Sequence, residues 1–223
     1  MTEQMAFDLP VRSATGREDF FVSPSNAVAV AQIEAWRDWP QRKLVLVGPM
    51  GAGKTHLAHV WAAASGAQII AAADLPGAGI EALAARGAVA VEDADRIAGD
   101  RAAEEALFHL HNLILAEGGA LMLTARTAPR QWPLVLPDLR SRLEATASAT
   151  LEAPDDALLA ALLVKLFADR QITVPPRLIS YLVGRMDRSF AAAQALVADL
   201  DRRALETGRK ISERLAAELL DKG

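Results

Sequence analysis

The sequence contains no cysteine, and only 5% of its 223 residues are aromatic. Without cysteine, disulfide bonds, thiolate metal sites and cysteine nucleophiles are excluded. Basic residues are not in excess either, since 24 lysines and arginines stand against 28 acidic residues and the formal net charge is -4. Phosphate neutralisation supplies much of the affinity of a DNA-binding protein, so no autonomous DNA binding is expected. A local basic patch remains compatible with this composition.

Long hydrophobic runs are missing as well. The most apolar stretch, residues 60–73, is interrupted by Ser65, Gly66 and Gln68 and is too short to span a bilayer. The first residues have neither the basic region nor the apolar region of a secretory signal. By elimination, the sequence predicts a cytoplasmic protein that has no membrane contact.

Apolar runs alternate with helical patterns over the first two thirds of the chain. Short apolar runs predict strands at residues 43–47, 67–72, 88–91 and 121–124. Helical periodicity predicts helices at 53–64, 80–86 and 102–116, and an earlier helix that begins after Ser23-Pro24-Ser25-Asn26 and ends at Trp39, before Pro40. This alternation predicts an α/β fold in which helices cover both faces of a parallel sheet.

The pattern changes at Pro154, after which only helices are predicted, at residues 155–170, 175–186, 189–207 and 212–220. Asp155, Ser189 and Ser212 stand where N-caps belong. We therefore divide the chain into a flexible tail (1–18), an α/β nucleotide-binding base (19–153) and a small helical lid subdomain (154–223).

One segment matches the phosphate-binding pattern G-x-x-x-x-G-K-[ST] in full, between a predicted strand and a predicted helix. It reads Gly48, Pro49, Met50, Gly51, Ala52, Gly53, Lys54 and Thr55. The glycines allow backbone N–H groups to turn toward phosphates, Lys54 can neutralise them, and the Thr55 hydroxyl can coordinate Mg²⁺. This P-loop predicts a nucleotide site.

A carboxylate at the end of a neighbouring strand is the second element that such a site needs, to hold Mg²⁺ and to orient water. Glu92 and Asp93 follow the predicted strand at 88–91. Glu92 stands where P-loop enzymes usually have the metal-binding aspartate, and its extra methylene moves the carboxylate by about 1.5 Å, more than catalytic geometry tolerates. We predict that binding survives this change and that hydrolysis slows.

Further segments carry more specific patterns. They are Phe20-Phe21-Val22-Ser23-Pro24-Ser25-Asn26, Gly53-Lys54-Thr55-His56-Leu57, Glu92-Asp93-Ala94-Asp95-Arg96-Ile97-Ala98-Gly99-Asp100, Phe108-His109-Leu110-His111-Asn112 and Pro137-Asp138-Leu139-Arg140-Ser141-Arg142-Leu143. Together they resemble the DnaA/Hda family of AAA+ P-loop ATPases, from about Gln4 to the C-terminus. The resemblance implies a five-stranded parallel sheet with an all-α lid, ADP or ATP as cofactor with Mg²⁺, and His56 within the nucleotide-binding segment. It also implies that Arg142 is an arginine finger acting in trans, with Arg140 on the surface.

The layout resembles the family members that lack both an extra N-terminal domain and a DNA-binding helix-turn-helix domain. Such members begin with a short segment that binds the DNA-polymerase sliding clamp (beta subunit), which Gln4, Met5, Phe7 and Leu9 resemble. A peptide of this kind lays apolar side chains in a groove, whereas an idle tail is the alternative. The resemblance thus implies two partners, the clamp and DnaA, and allows a homodimer.

Three positions depart from the family's nucleotide-handling pattern: Glu92, Arg126 in the place of a polar or acidic sensor, and Ala191 in the place of the second sensor arginine, with Arg188 as a possible substitute. They favour an adaptor that stimulates hydrolysis of DnaA-bound ATP over a self-sufficient ATPase such as a helicase loader. A scaffold that has lost nucleotide binding is the third alternative. His56 and His59 could share a metal, but no third ligand is visible, so helix-surface or core histidines are the preferred interpretation. His109 and His111 are interpreted as structural, and the four tryptophans as packing residues rather than a base-stacking set.

Overall fold

Five parallel strands form a single sheet in the computed structural model, which describes residues 21–220. The strands are β1 (Lys43–Val47), β2 (Gln68–Ala71), β3 (Ala88–Glu92), β4 (Ala120–Ala125) and β5 (Ser148–Thr150). They pair in the order β2-β3-β4-β1-β5, so β1 lies between β4 and β5. The carboxyl ends of β1, β3 and β4 consequently meet at one edge of the sheet.

Helices cover both faces of this sheet, as the sequence predicts. Those of the base are α1 (Ala27–Glu34), α2 (Lys54–Ser65), α3 (Ile80–Ala84), α4 (Arg101–Ala116) and α5 (Pro137–Glu144). Alternate residues of β1 point to opposite faces: Leu44 and Leu46 pack with α1 and α2, whereas Val45 packs with α3, α4 and α5. Each face therefore has its own apolar core.

The C-terminal part of the described chain is a helical subdomain with a third apolar core. It consists of α6 (Asp156–Asp169), α7 (Pro176–Val183), α8 (Phe190–Thr207) and α9 (Glu213–Leu220). The predicted N-caps are confirmed, because Asp155, Ser189 and Ser212 accept hydrogen bonds from the backbone N–H three residues later, at 2.8, 3.0 and 3.4 Å.

The predicted end of the first helix needs correction. The first helix ends at Glu34 rather than at Trp39, and a 3₁₀ turn, Trp36–Asp38, follows it. This turn brings Trp36 edge-on to Trp61, with centroids 6.2 Å apart, and Trp39 into a stack on the same ring at 5.3 Å. Aromatic packing thus competes with helix continuation. The fifth strand, which no apolar run announces, is only Ser148–Thr150.

Two other predictions concern the ends of the chain and the membrane. Within residues 21–220, no helix is both long and apolar enough to cross a bilayer. The tail at 1–18, with the clamp-binding segment Gln4, Met5, Phe7 and Leu9, lies outside the described residues.

Candidate nucleotide-binding site

The P-loop joins the end of β1 to the start of α2, as predicted. The Gly48 N–H donates to the Ala125 carbonyl at the end of β4, at 3.1 Å. Gly51 and Gly53 have φ angles of +77° and +97°, which side chains disfavour. A Cβ on Gly51 would also lie 2.3 Å from the Cβ of Ser189. Glycine is therefore required at residue 51 by both backbone conformation and close packing.

Lys54 is buried at the start of α2, with 8% of its surface exposed. Its Nζ donates to the carbonyls of Gly48 and Pro49, at 2.7 and 2.9 Å. Burial lowers the pKa of the Lys54 ammonium, while the nearby Asp93 and Asp95 carboxylates act to raise it. The loop thus holds a cation beneath its own backbone, where phosphate oxygens can meet it.

Two carboxylate oxygens at the same edge of the sheet are buried and have no hydrogen-bond partner within the described chain. They are Oε1 of Glu92, at the end of β3, and Oδ1 of Asp95. Asp93 is used differently, because its N–H donates to Thr124 Oγ1 at 3.0 Å and its carboxylate contacts Arg96 at 3.3 Å. Glu92 and Asp95 therefore each present a free oxygen, and sequence reasoning missed Asp95.

These oxygens fit Mg²⁺, which prefers carboxylate and hydroxyl ligands. Glu92, and Thr55 in the first turn of α2, are the residues that would hold the ion. No group of three or more acidic or histidine side chains forms a metal site by itself among residues 21–220. An ion here would take its remaining ligands from nucleotide phosphates and water.

Arg126 brings a permanent positive charge to the apex of the loop. It follows β4, and its Nη2 lies 3.9 Å from Sδ of the exposed Met50. The Arg126 N–H donates to Asp95 Oδ2 at 3.1 Å, so this carboxylate fixes the turn after the strand. Arg126 therefore places a cation beside the P-loop, at the position that the family resemblance assigns to a polar or acidic sensor.

Arg188, the residue considered as a substitute for the second sensor arginine, makes its contacts with the beginning of α6. Its guanidinium pairs with Asp156 at 2.5 Å and donates to the Pro154 carbonyl at 3.4 Å. These contacts join the beginning of α8 to the beginning of α6. Ala191, on the first turn of α8, is exposed and carries no charge.

The helical subdomain packs directly on the P-loop. The Phe190 N–H donates to the Gly51 carbonyl at 3.0 Å, and the Phe190 ring would lie 3.2 Å from a Cβ on Gly53. Sequence reasoning missed the contacts of Ser189 and Phe190 with the loop, since no local pattern announces a contact between segments so far apart in the chain. The N-terminus of α8 therefore closes over the phosphate-binding loop.

A mainly apolar cavity of about 260 Å³ lies beside the start of α2, between the base and the helical subdomain. It is lined by Phe21, His56, Leu158, Leu162, Lys165, Leu166, Asp169, Phe190 and Gln194. Phe21 and His56 come from two of the segments that carry the family resemblance, and the resemblance assigns the segment with His56 to nucleotide binding. A flat apolar ring with polar edges is the kind of group that such a cavity accommodates.

Arg142 lies far from this site. Lys43, the first residue of β1, donates from Nζ to the Arg142 carbonyl at 3.1 Å, while the P-loop follows Val47 at the other end of the strand. A five-residue strand is roughly 13 Å long at about 3.3 Å per residue. The Arg142 guanidinium stands over the Phe108 ring, 5.2 Å from its centroid. Arg140 is exposed and donates to the Leu134 carbonyl.

The sheet order, the P-loop between β1 and α2 and the helical subdomain define this chain as an AAA+ fold. No family model matches the chain. Among solved structures, it is similar to domain III of the Thermotoga maritima replication initiation protein DnaA, with a TM-score of 0.77 and 18% identity over 91% of this chain and 94% of that one. AMPPCP-bound DnaA from Aquifex aeolicus is similar with a TM-score of 0.70 and 16% identity, over 84% of this chain and 65% of that one. A Thermotoga maritima RuvB variant is similar with a TM-score of 0.66 and 16% identity, over 88% of this chain and 66% of that one.

Proposed function

We propose that the protein is an adenine-nucleotide-binding AAA+ adaptor that acts as Hda does in the DnaA/Hda family. Together with the DNA-loaded sliding clamp, it stimulates hydrolysis of the ATP bound to DnaA and so negatively regulates initiation of chromosomal replication. The hydrolysed ATP belongs to the partner in this proposal, and the adaptor contributes a positive charge to it.

The observation that carries the proposal is the position of Arg142. Its carbonyl contacts Lys43 at the amino end of β1, whereas the P-loop lies at the carboxyl end. An arginine at that edge cannot serve the nucleotide of its own loop, but it can meet a nucleotide on a neighbouring molecule. A finger supplied in trans accelerates a slow hydrolase by about 10³–10⁵ through stabilisation of transition-state charge.

Binding of ADP or ATP by the adaptor itself is supported by the complete P-loop and by the neighbouring cavity. Lys54 is buried beneath the loop, and the cavity with Phe21 and His56 opens beside it. The similar Aquifex aeolicus DnaA structure contains AMPPCP. Bound Mg²⁺ would neutralise phosphate charge, and Thr55 and Glu92 are the residues that would hold it.

Weak turnover by the isolated protein follows from three side chains. Glu92 replaces the shorter aspartate, and Ala191 offers no cation at the start of α8. Arg188, which could have compensated, is paired with Asp156. The site has the parts for binding, whereas its carboxylate at residue 92 and its lack of a cation at residue 191 depart from the pattern that the resemblance implies for hydrolysis.

Binding to the clamp is proposed from the sequence of the tail alone. Gln4, Met5, Phe7 and Leu9 form the motif, with apolar anchors that suit a groove and a glutamine for polar contacts. DnaA is proposed as the partner because the sequence segments around the P-loop and Arg142 resemble the DnaA/Hda family.

The test is phosphate release from DnaA-ATP, measured with and without this protein and DNA-loaded clamp. We expect stimulation by the wild type, its loss in Arg142→Ala and no rescue by Arg142→Lys, because an ammonium lacks the planar fork of a guanidinium. Arg140→Ala is the matched control, two residues away and also exposed, and it should keep most of the stimulation.

Three outcomes would contradict the proposal. Full stimulation by Arg142→Ala removes the trans mechanism. Robust ATP hydrolysis without DnaA or clamp favours the self-sufficient ATPase. Stimulation by a protein that binds no adenine nucleotide favours the scaffold. A variant that lacks residues 1–10 tests the role of the clamp-binding segment separately, because it should lose stimulation while it keeps nucleotide binding.

A further inference from the structure

A second cleft, of about 640 Å³, opens at the amino-terminal edge of the sheet, on the side opposite to the P-loop. Arg42 and Lys43 line it from the start of β1, His111 and Asn112 from α4, and Ser141 and Arg142 from α5. No acidic side chain is among the residues that line it. The cleft therefore combines several cations and neutral polar groups without a compensating carboxylate.

Lys43 is the buried cation at the bottom of this cleft, with 4% of its surface exposed. Its Nζ donates to the Arg142 carbonyl at 3.1 Å and to His111 Nε2 at 3.2 Å. An ammonium can only donate, so His111 Nε2 is the acceptor, and His111 Nδ1 carries the proton that it shares with Asn112 Oδ1 at 3.3 Å. Two of the three ammonium N–H groups are used, and the third has no protein partner within the described chain.

The charges in the cleft oppose one another. Burial lowers the pKa of the Lys43 ammonium, and the neighbouring Arg142 lowers it further. Burial and the Lys43 charge lower the pKa of His111 to about 4, so this ring is neutral at physiological pH. No carboxylate lies within 4.0 Å of Lys43 Nζ among residues 21–220. Buried charges are normally paired, and this one is not.

The backbone at the rim is also strained. Gln41 and Arg42 have φ angles of 53° and 55°, a left-handed conformation that side-chain-bearing residues seldom adopt. It directs Arg42 Nη1 to the Gly118 carbonyl at 2.8 Å, which holds the guanidinium at the cleft. Strain of this kind persists where the surrounding structure imposes it, and such positions concentrate at ligand sites.

We propose that Lys43 and Arg142 together bind the terminal phosphate of a nucleotide that a neighbouring protein molecule presents to this cleft. The inference deepens the proposed function, on which it rests, because it gives Arg142 a second cation at the same site. A terminal phosphate carries roughly two negative charges and several acceptor oxygens, so it matches two uncompensated cations better than a single carboxylate does. Asn112 and Ser141 supply neutral polar groups beside them.

The binding test uses the isolated protein in a Lys54→Ala background, so that the P-loop does not compete, and pyrophosphate as the probe. Nuclear magnetic resonance follows the His111 ring. We expect saturable binding and a rise of about one unit in the pKa of His111, since a nearby anion favours the imidazolium form. Lys43→Gln retains a donor amide without the charge, and both it and Arg142→Ala should weaken binding at least tenfold.

Arg214→Ala is the matched control, since it removes one positive charge from an exposed position on α9, far along the chain from the cleft. Pyrophosphate affinity should be unchanged in this variant. An equal loss of pyrophosphate affinity in Arg214→Ala would mean that net charge alone attracts the probe. Acetate binding as strong as pyrophosphate binding would mean that the cleft takes carboxylates. Either result overturns the inference. Melting temperatures of all variants establish that they are folded.

The functional test returns to phosphate release from DnaA-ATP with loaded clamp. Lys43→Gln should reduce stimulation at least tenfold while its own affinity for ADP stays at the wild-type value. If Lys43→Gln stimulates fully and Arg142→Ala does not, the proposed function survives and the two-cation site is wrong. If pyrophosphate binds the cleft but no variant affects DnaA, the cleft inference survives and the proposed partner is wrong.

Discussion

Glu104 is the side chain whose removal tests how Arg142 is held in place. It is fully buried on α4, with 0% of its surface exposed. Its carboxylate accepts the backbone N–H groups of Gly99 at 2.8 Å, Val135 at 3.0 Å and Leu136 at 2.7 Å. Leu136 is the residue before α5, the helix that carries Arg142. One carboxylate thus connects α4 to the start of the arginine helix.

The expected loss in Glu104→Ala follows from the groups left behind. Three backbone N–H groups lose their acceptor, and each unsatisfied buried donor costs about 1–3 kcal/mol. Val135 is 55% exposed, so water replaces part of the loss, and we expect a decrease in the free energy of unfolding near the lower bound of about 3 kcal/mol. For a chain of this size, that corresponds to a melting temperature lower by roughly 6–12 °C.

The measurement is thermal and urea unfolding followed by tryptophan fluorescence, with Glu105→Ala as the matched control. Glu105 is the next residue on the same helix, and it makes only an exposed ion pair with Arg101 at 2.8 Å. Its removal should cost less than about 0.5 kcal/mol. If Glu104→Ala melts within about 2 °C of the control, the carboxylate does not hold α5, and the argument for its role fails.

Two further predictions concern the nucleotide and the arginine. Lys54→Ala should weaken adenine-nucleotide binding at least tenfold, because it removes the charge that faces the phosphates. Calorimetry measures the affinity, and Lys210→Ala, at an exposed position, is the control. Equal affinities of the wild type and Lys54→Ala would exclude the site. Phe108→Ala removes the ring beneath the Arg142 guanidinium. The contact between the ring and the guanidinium is worth about 0.5–1 kcal/mol, so stimulation of DnaA-ATP hydrolysis should fall about two- to fivefold. Phe108→Leu keeps the apolar bulk without the ring, and it should lower stimulation by the same factor. A Leu variant as active as the wild type would mean that the ring acts by packing alone.

Most of the fold is readable from local patterns. The four longer strands are apolar runs bounded by turns, and the caps Asp155, Ser189 and Ser212 mark where three lid helices begin. The strand Ser148–Thr150 escapes detection because it has three residues and only Ala149 is buried. Its position is fixed by pairing with β1, which is information that a local window does not contain.

The candidate sites, like the fold, are only partly predictable from local sequence. The P-loop is a continuous motif, so sequence alone identifies it and its glycines. The lid residues Ser189 and Phe190 meet Gly51 across more than a hundred residues, and Lys43 meets His111 across 68. Each of these residues has an ordinary local explanation as a cap, a core ring or a strand end. Only tertiary packing reveals that Ser189 and Phe190 belong to the P-loop site, and that Lys43 and His111 belong to the cleft at the opposite edge of the sheet.

The separation of the P-loop and Arg142 at opposite edges of one sheet gives the molecule two unlike ends. If each end engages its counterpart on another subunit, the contact is heterologous and does not close into a two-fold pair. Such a contact closes into a ring when the rotation between neighbours returns to its starting point, and every loop then faces an arginine. When the rotation does not close, the array stays open, and one loop and one arginine are left unused at its two extremities.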